Sequence, residues 1–162
     1  MFTTNTMQNF SPQSKVWVYQ SSRPFTESEI VELNNKLKHF TVQWTAHNKQ
    51  LLASGNVMYD RFIVLMVDES HTMASGCSID SSVHFIKQLE QDYTIDLFNR
   101  TIVNMEINGL IQTISLDELS TKFKSGEINA STIVFDPLVQ QKRDFDKGFK
   151  IPLAESWMMN LI

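Results

Sequence analysis

The chain has 162 residues, 42% of them hydrophobic and 20% charged, a globular composition that excludes a disordered chain and a coiled coil. Its 14 basic and 18 acidic side chains leave a formal charge of −4, which offers no general attraction to a phosphate backbone. The densest basic stretch, Gln140 to Lys147, interleaves Asp144 and Asp146 with its cations and reads as solvated surface, so nucleic acid is not an expected partner.

Cys77 is the single cysteine, which rules out an internal disulfide. Met1 to Gln13 lacks the basic and apolar regions of a secretory leader. The longest strongly apolar run, Phe62 to Val67, is far shorter than a membrane span. A cytoplasmic location without membrane contact is the expectation.

Taken in chain order, residues 1–14 are polar and read as a loose, flexible N-terminal tail, leaving 15–162 as a single domain. Lys15 to Gln20 is β-branched and aromatic, predicting a strand. Thr26 and Glu29 form a capping box ahead of Ile30, Leu33, Leu37 and Phe40, whose spacing predicts a helix. Val42 to Ala46 suits either a short strand or a helix exit. Leu51–Tyr59 and Arg61–Val67 read as two antiparallel strands around Tyr59-Asp60, with Gly55 marking a bulge. Ile79, Val83, Ile86, Leu89 and Tyr93 predict a second helix from about Ile79 to Asp92.

Asn108-Gly109 between two β-rich runs, 101–107 and 110–114, is a strong hairpin signal. Ser115 to Phe123 predicts a third helix stopped by Gly126, and Thr132 to Phe135 a further strand. Leu153 to Leu161 predicts an amphipathic piece that docks Trp157. Two hairpins with helices between them predict the α+β class, with a mainly antiparallel sheet and the helices on one side.

Candidate chemistry gathers at the loop before the second helix. Gly76-Cys77-Ser78-Ile79-Asp80-Ser81-Ser82 has the composition of a helix start, because glycine permits a tight approach and Ser78 or Asp80 can accept from free first-turn amides. The leading reading is a structural cap with an inert, buried Cys77. The same free amides could hold a ligand anion, making Asp68, Glu69, Gly76, Ser78, Asp80, Ser81 and Ser82 candidate ligand-binding residues.

A third reading makes Cys77 a catalytic nucleophile, since a thiol beside a helix N-terminus feels the positive end of the dipole. His71, on the same loop, is its candidate base, and His84 lies too far along the helix for direct contact. Asp68, Glu69 and His71 are metal-ligand types, but adjacent residues of an extended chain point apart, and no metal or cofactor is expected. The phosphate-binding, dinucleotide and nucleophile-elbow glycine motifs are all missing from the sequence.

Val16 to Ser21, Trp44 to His47, Tyr59 to Glu69 and Ala74 to Val83 together resemble an uncharacterised family of small bacterial proteins sometimes labelled ABC-transporter ATPases. The resemblance covers most of residues 15–162 and implies a bacterial, cytoplasmic, stand-alone domain. It carries no catalytic residue onto this chain, and without a Walker loop it lends no physical basis to ATP hydrolysis.

The expected function is a non-enzymatic domain that binds a small ligand or another protein, held at the Asp68–Ser82 loop. The alternative is a thiol-dependent enzyme or redox sensor built on Cys77 and His71. Self-association is compatible with either.

Overall fold

The structure, a computed structural model, describes residues 7–162. In chain order the elements are β1 (Lys15–Gln20), α1 (Glu27–Gln43), β2 (Thr45–Ala46), β3 (Lys49–Gln50), β4 (Leu52–Met58), β5 (Phe62–Asp68) and α2 (Gly76–Tyr93). Then come β6 (Ile102–Ile107), β7 (Leu110–Ser115), α3 (Leu119–Ser125), β8 (Ile133–Phe135), α4 (Lys142–Gly148) and β9 (Lys150–Pro152). Short 3₁₀ turns precede α3 and close the chain after β9. The class is α+β, with three antiparallel sheets where one was expected: β1-β5-β4, the β2-β3 ribbon, and β7-β6-β8-β9.

β5 is the centre of the molecule. Its apolar sequence is buried along its whole length, as a strand covered on both faces requires. Ile63, Leu65 and Val67 face a cluster with Leu33 and Leu37 of α1 and Ile86 and Leu89 of α2. Phe62, Val64 and Met66 face a second cluster with Met7, Phe10, Phe135, Phe145 and Phe149.

Local chemistry explains both long helices. In α1 the Thr26 side chain caps the backbone of Glu29 and the Glu29 carboxylate reaches back to Thr26. That carboxylate also meets Arg23 with two bonds of 2.8 Å, and Arg23 donates to the Tyr93 carbonyl at 3.1 Å, tying the start of α1 to the end of α2. In α2 the cap is Ser75, reciprocated by Ser78. The helix therefore starts three residues before the predicted Ile79, because the second member of the box is a serine rather than the usual Glu or Gln.

Other expectations need correction. Residues 7–14 are not a loose tail: Met7 and Phe10 are buried in the second cluster and the Ser11 amide donates to Asp68 at 2.9 Å. Residues 1–6 lie outside the described residues. Gly55 marks no bulge, since it pairs in regular register with Leu65. A Cβ there would stand 3.2 Å from Cβ of Leu37 and 3.1 Å from Leu65, so the glycine lets α1 lie close on β4. Gln140–Lys147 is not simply solvated surface, because it carries all but the last residue of α4, whose Phe145 is buried and stacks on Phe149. Val42 belongs to the end of α1, and only Thr45–Ala46 forms a strand.

The predicted Asn108-Gly109 hairpin is present, with φ of 52° and 78° at the two turn residues and Ile107 opposite Leu110. Gly126, at φ 82°, ends α3. Trp157 docks by donating to Asp136 at 3.0 Å.

Candidate functional site

The loop from Asp68 to Ser82 spends most of its polar groups on its own construction. Asp68 is buried and accepts from the Ser70 amide and hydroxyl and from the Ser11 amide. Burial alone would push its carboxyl up, but these bonds and the nearby His71 outweigh it, and the group sits below its ordinary range. Glu69 accepts from the Ala74 amide at 2.8 Å and pairs with Lys15 at 3.5 Å. Ser78 is buried, engaged with Ser75, and its carbonyl accepts from Trp44 Nε1 at 2.7 Å, which pins the first turn of α2 to the end of α1.

Ser81 and Ser82 donate back to the carbonyls of Ser78 and Ile79. Gly76, Cys77, Asp80, Ser81 and His71 are exposed. Cys77 is thus not the buried thiol of the leading expectation. It occupies the second position of α2, on the solvent side.

Neither Cys77 nor His71 makes a side-chain hydrogen bond among the described residues, and neither lines the cleft that runs along β1. His84 lies seven residues on in the same helix, about 10 Å of rise away. No cluster of three or more His, Cys, Asp or Glu side chains able to hold a metal is found among the described residues.

A concavity lies on the other side of the first turns of α2. It is a cleft of about 760 Å³ that runs along the free edge of β1, inside the usual range for ligand pockets. One wall carries Ile79 and Val83 of α2 with Leu97 and Phe98; the other carries Pro137, Leu138 and Val139. The walls lie on opposite faces of the β1-β5-β4 sheet. Phe98 packs edge-on against Tyr19 at 5.3 Å, whereas Val139 joins the cluster on the Val16 face.

The floor is β1 itself. Val16 donates to the Gln140 carbonyl at 3.0 Å and Lys142 to the Ser14 carbonyl at 2.9 Å, which closes the first end of the edge. Ser22 donates to the Asp96 carbonyl at 3.0 Å just beyond the other end. Main-chain groups of a strand alternate in direction, so the amides and carbonyls of Val18 and Gln20 point to the same side as those of Val16. Among the described residues these groups of Val18 and Gln20 have no hydrogen-bond partner on that edge.

The cleft is also polarised. Lys15 and Arg100 are its charged lining residues and no Asp or Glu lines it, in a chain whose formal charge is −4. Lys15 is engaged by Glu69, while Arg100 makes no ion pair among the described residues. Tyr19, buried in the cleft floor, has its phenol pushed up to about 12 by burial, with the Arg100 cation and the nearby Ser82 hydroxyl pulling the other way.

Of the predicted site residues only the helix that carries them touches this cleft, through Ile79 and Val83. Sequence reading missed Val18, Phe98, Arg100 and Leu138. The one available signal was the position of Asn99-Arg100 between two elements, which points to no chemistry by itself. Comparison with protein-family models, with curated proteins and with solved structures finds no match.

Proposed function

We propose that the protein is a non-enzymatic binding domain and that its ligand occupies the β1 cleft rather than the Asp68–Ser82 loop. The observation that carries this reading is the cleft itself, a ligand-sized concavity with apolar walls, unpaired main-chain groups along its floor and Arg100, without an ion-pair partner among the described residues, in its lining. A ligand with an apolar body and an anionic group fits that combination. The loop residues lose their motivation as a binding site because their donors and acceptors serve the cap of α2 and the turn before it.

The test is thermal unfolding of the wild-type protein and Arg100→Glu with aromatic carboxylates, fatty acids, dicarboxylates and short acidic peptides. A ligand present at a hundredfold its Kd stabilises by about 2.7 kcal/mol. At least one of these probes raises the Tm of the wild type and not of Arg100→Glu. A panel without effect, or equal effects on both proteins, overturns the reading.

The thiol reading has one observation in its favour, the exposure of Cys77 at the start of α2. The rate of alkylation of this single thiol against pH decides it. A midpoint at or above the free value of about 8.5 removes Cys77 as a nucleophile.

A further inference from the structure

The two outer edges of the β1-β5-β4 sheet are treated differently. On β4 the outward amide of Val57 donates to the Asn34 side chain of α1 at 3.1 Å and Gly55 is buried against Leu37 of that helix, although the outward main-chain groups of Ala53 and Gly55 have no hydrogen-bond partner among the described residues. On β1 the covering stops at Gln140, and Val18 and Gln20 present unpaired donors and acceptors to the cleft. An uncovered edge between walls is a template for another strand.

We infer that the cleft binds an extended segment of another protein by strand addition to β1, with a carboxylate of that segment facing Arg100. This rests on the reading of the cleft as the ligand site and narrows its occupant. Two observations favour a peptide over a small molecule. Alternating main-chain donors and acceptors at the strand repeat are matched by a polypeptide backbone in extended form.

The walls lie on the two faces of the sheet, so successive side chains of an added strand point alternately toward Ile79, Val83 and Phe98 and toward Leu138. Phe98 and Leu138 are 38% and 42% exposed, which leaves apolar surface for those side chains to cover. Arg100 supplies the unpaired charge, and an acidic side chain or a C-terminal carboxylate supplies its counterpart. A second copy of this chain pairing β1 to β1 does not fit, since each β1 lies recessed between its walls and two recessed edges cannot meet.

The experiment is selection of a displayed random heptapeptide library on the full wild-type chain, with Arg100→Glu as counter-target. Enriched sequences are then synthesised with free and with amidated C-termini and with N-methyl groups at alternate amides, and titrated by fluorescence polarisation.

The expected result is a set of peptides that lose tenfold or more in affinity for Arg100→Glu. They lose as much when methylated at the amides facing β1, and little when methylated at the intervening ones. Amidation that abolishes binding assigns the carboxylate to the C-terminus; binding that survives amidation assigns it to an Asp or Glu side chain. Val18→Pro removes the outward N–H while sparing the ladder to β5, a substitution edge strands tolerate, and gives the same loss. The methylated peptides keep the test decisive should that variant unfold.

Absence of enrichment over Arg100→Glu, or binding indifferent to the position of methylation, overturns strand addition. If peptides fail while a small carboxylate still stabilises the wild type through Arg100, strand addition falls and the cleft reading stands. If both fail, both fall.

Discussion

A missing methyl group at Gly55 sets how closely α1 approaches β4. Its ideal Cβ would stand 3.2 Å from Leu37 Cβ and 3.1 Å from Leu65 Cδ2, both on fully buried residues that would have to shift by a few tenths of an ångström. Gly55→Ala is therefore expected to destabilise the fold by about 1–3 kcal/mol, the usual cost of overpacking, measured as a shift in urea midpoint at unchanged slope.

At the same scale, Tyr19 reports on the cleft. Its folded value of about 12 exceeds the ordinary 10.0, so the unfolded chain releases this proton first. The stability it contributes is complete below pH 10.0 and is lost as pH rises toward 12. Ultraviolet absorbance of the native protein should show the Tyr19 phenol titrating late, alongside Tyr93, whose phenol burial also raises, and Arg100→Ala should move Tyr19 later still by removing the cation that favours phenolate.

Among the elements, the two long helices are fastened by features a few residues long. Ser75 is the cap of α2 and reciprocates with Ser78, so Ser75→Ala should cost about 1 kcal/mol, read as a lower thermal midpoint. Glu29 both completes the α1 cap and clamps Arg23, whose guanidinium holds that carboxyl down to about 2 from an ordinary 4.5. A lowered folded value means stability that is present above 4.5 and lost as pH falls toward 2. Glu29→Gln should flatten that acid limb while lowering stability at neutral pH, checked by thermal melts across the same range.

Both fasteners involve neighbours in sequence, and the α1 box was legible for that reason. The α2 box was not, because Ser78 plays the part normally taken by Glu or Gln.

Across the whole molecule, the β1-β5-β4 sheet and the four-stranded sheet are joined by a polar chain that is buried at its Asn104–Gln20 end and part-buried at Thr113 and Arg61. Asn104 donates to the Gln20 side chain at 2.9 Å and accepts from Thr113, and Arg61 donates to Thr113 at 2.8 Å. Asn104 is fully buried and Gln20 nearly so, which makes the joint intolerant of a missing partner. Asn104→Ala should cost at least the about 1–3 kcal/mol of an unsatisfied buried group, measured by chemical denaturation. A double-mutant cycle with Gln20→Ala should show coupling between the two sheets.

The segments that close the β1 cleft, 97–100 and 137–141, are brought to it by this same assembly. Neither carries a local pattern that announces a wall.

What the sequence determined by itself was everything written in neighbouring residues. The continuous apolar run of β5, the Thr26–Glu29 box, the Asn108-Gly109 turn and the Gly126 stop each express a backbone or burial preference within one or two turns of chain. They were enough for the α+β class. The tertiary structure decided where those elements left a gap. Met7, Phe10 and Phe145 look like parts of polar segments until distant apolar surface covers them, and Cys77 looks like a helix-start thiol of either exposure until α2 settles with its second residue outward. The free edge of β1 follows from how far the Gln140 segment reaches along it, a matter of packing between residues far apart in the chain, and burial and edge pairing of that kind leave no periodic trace in sequence.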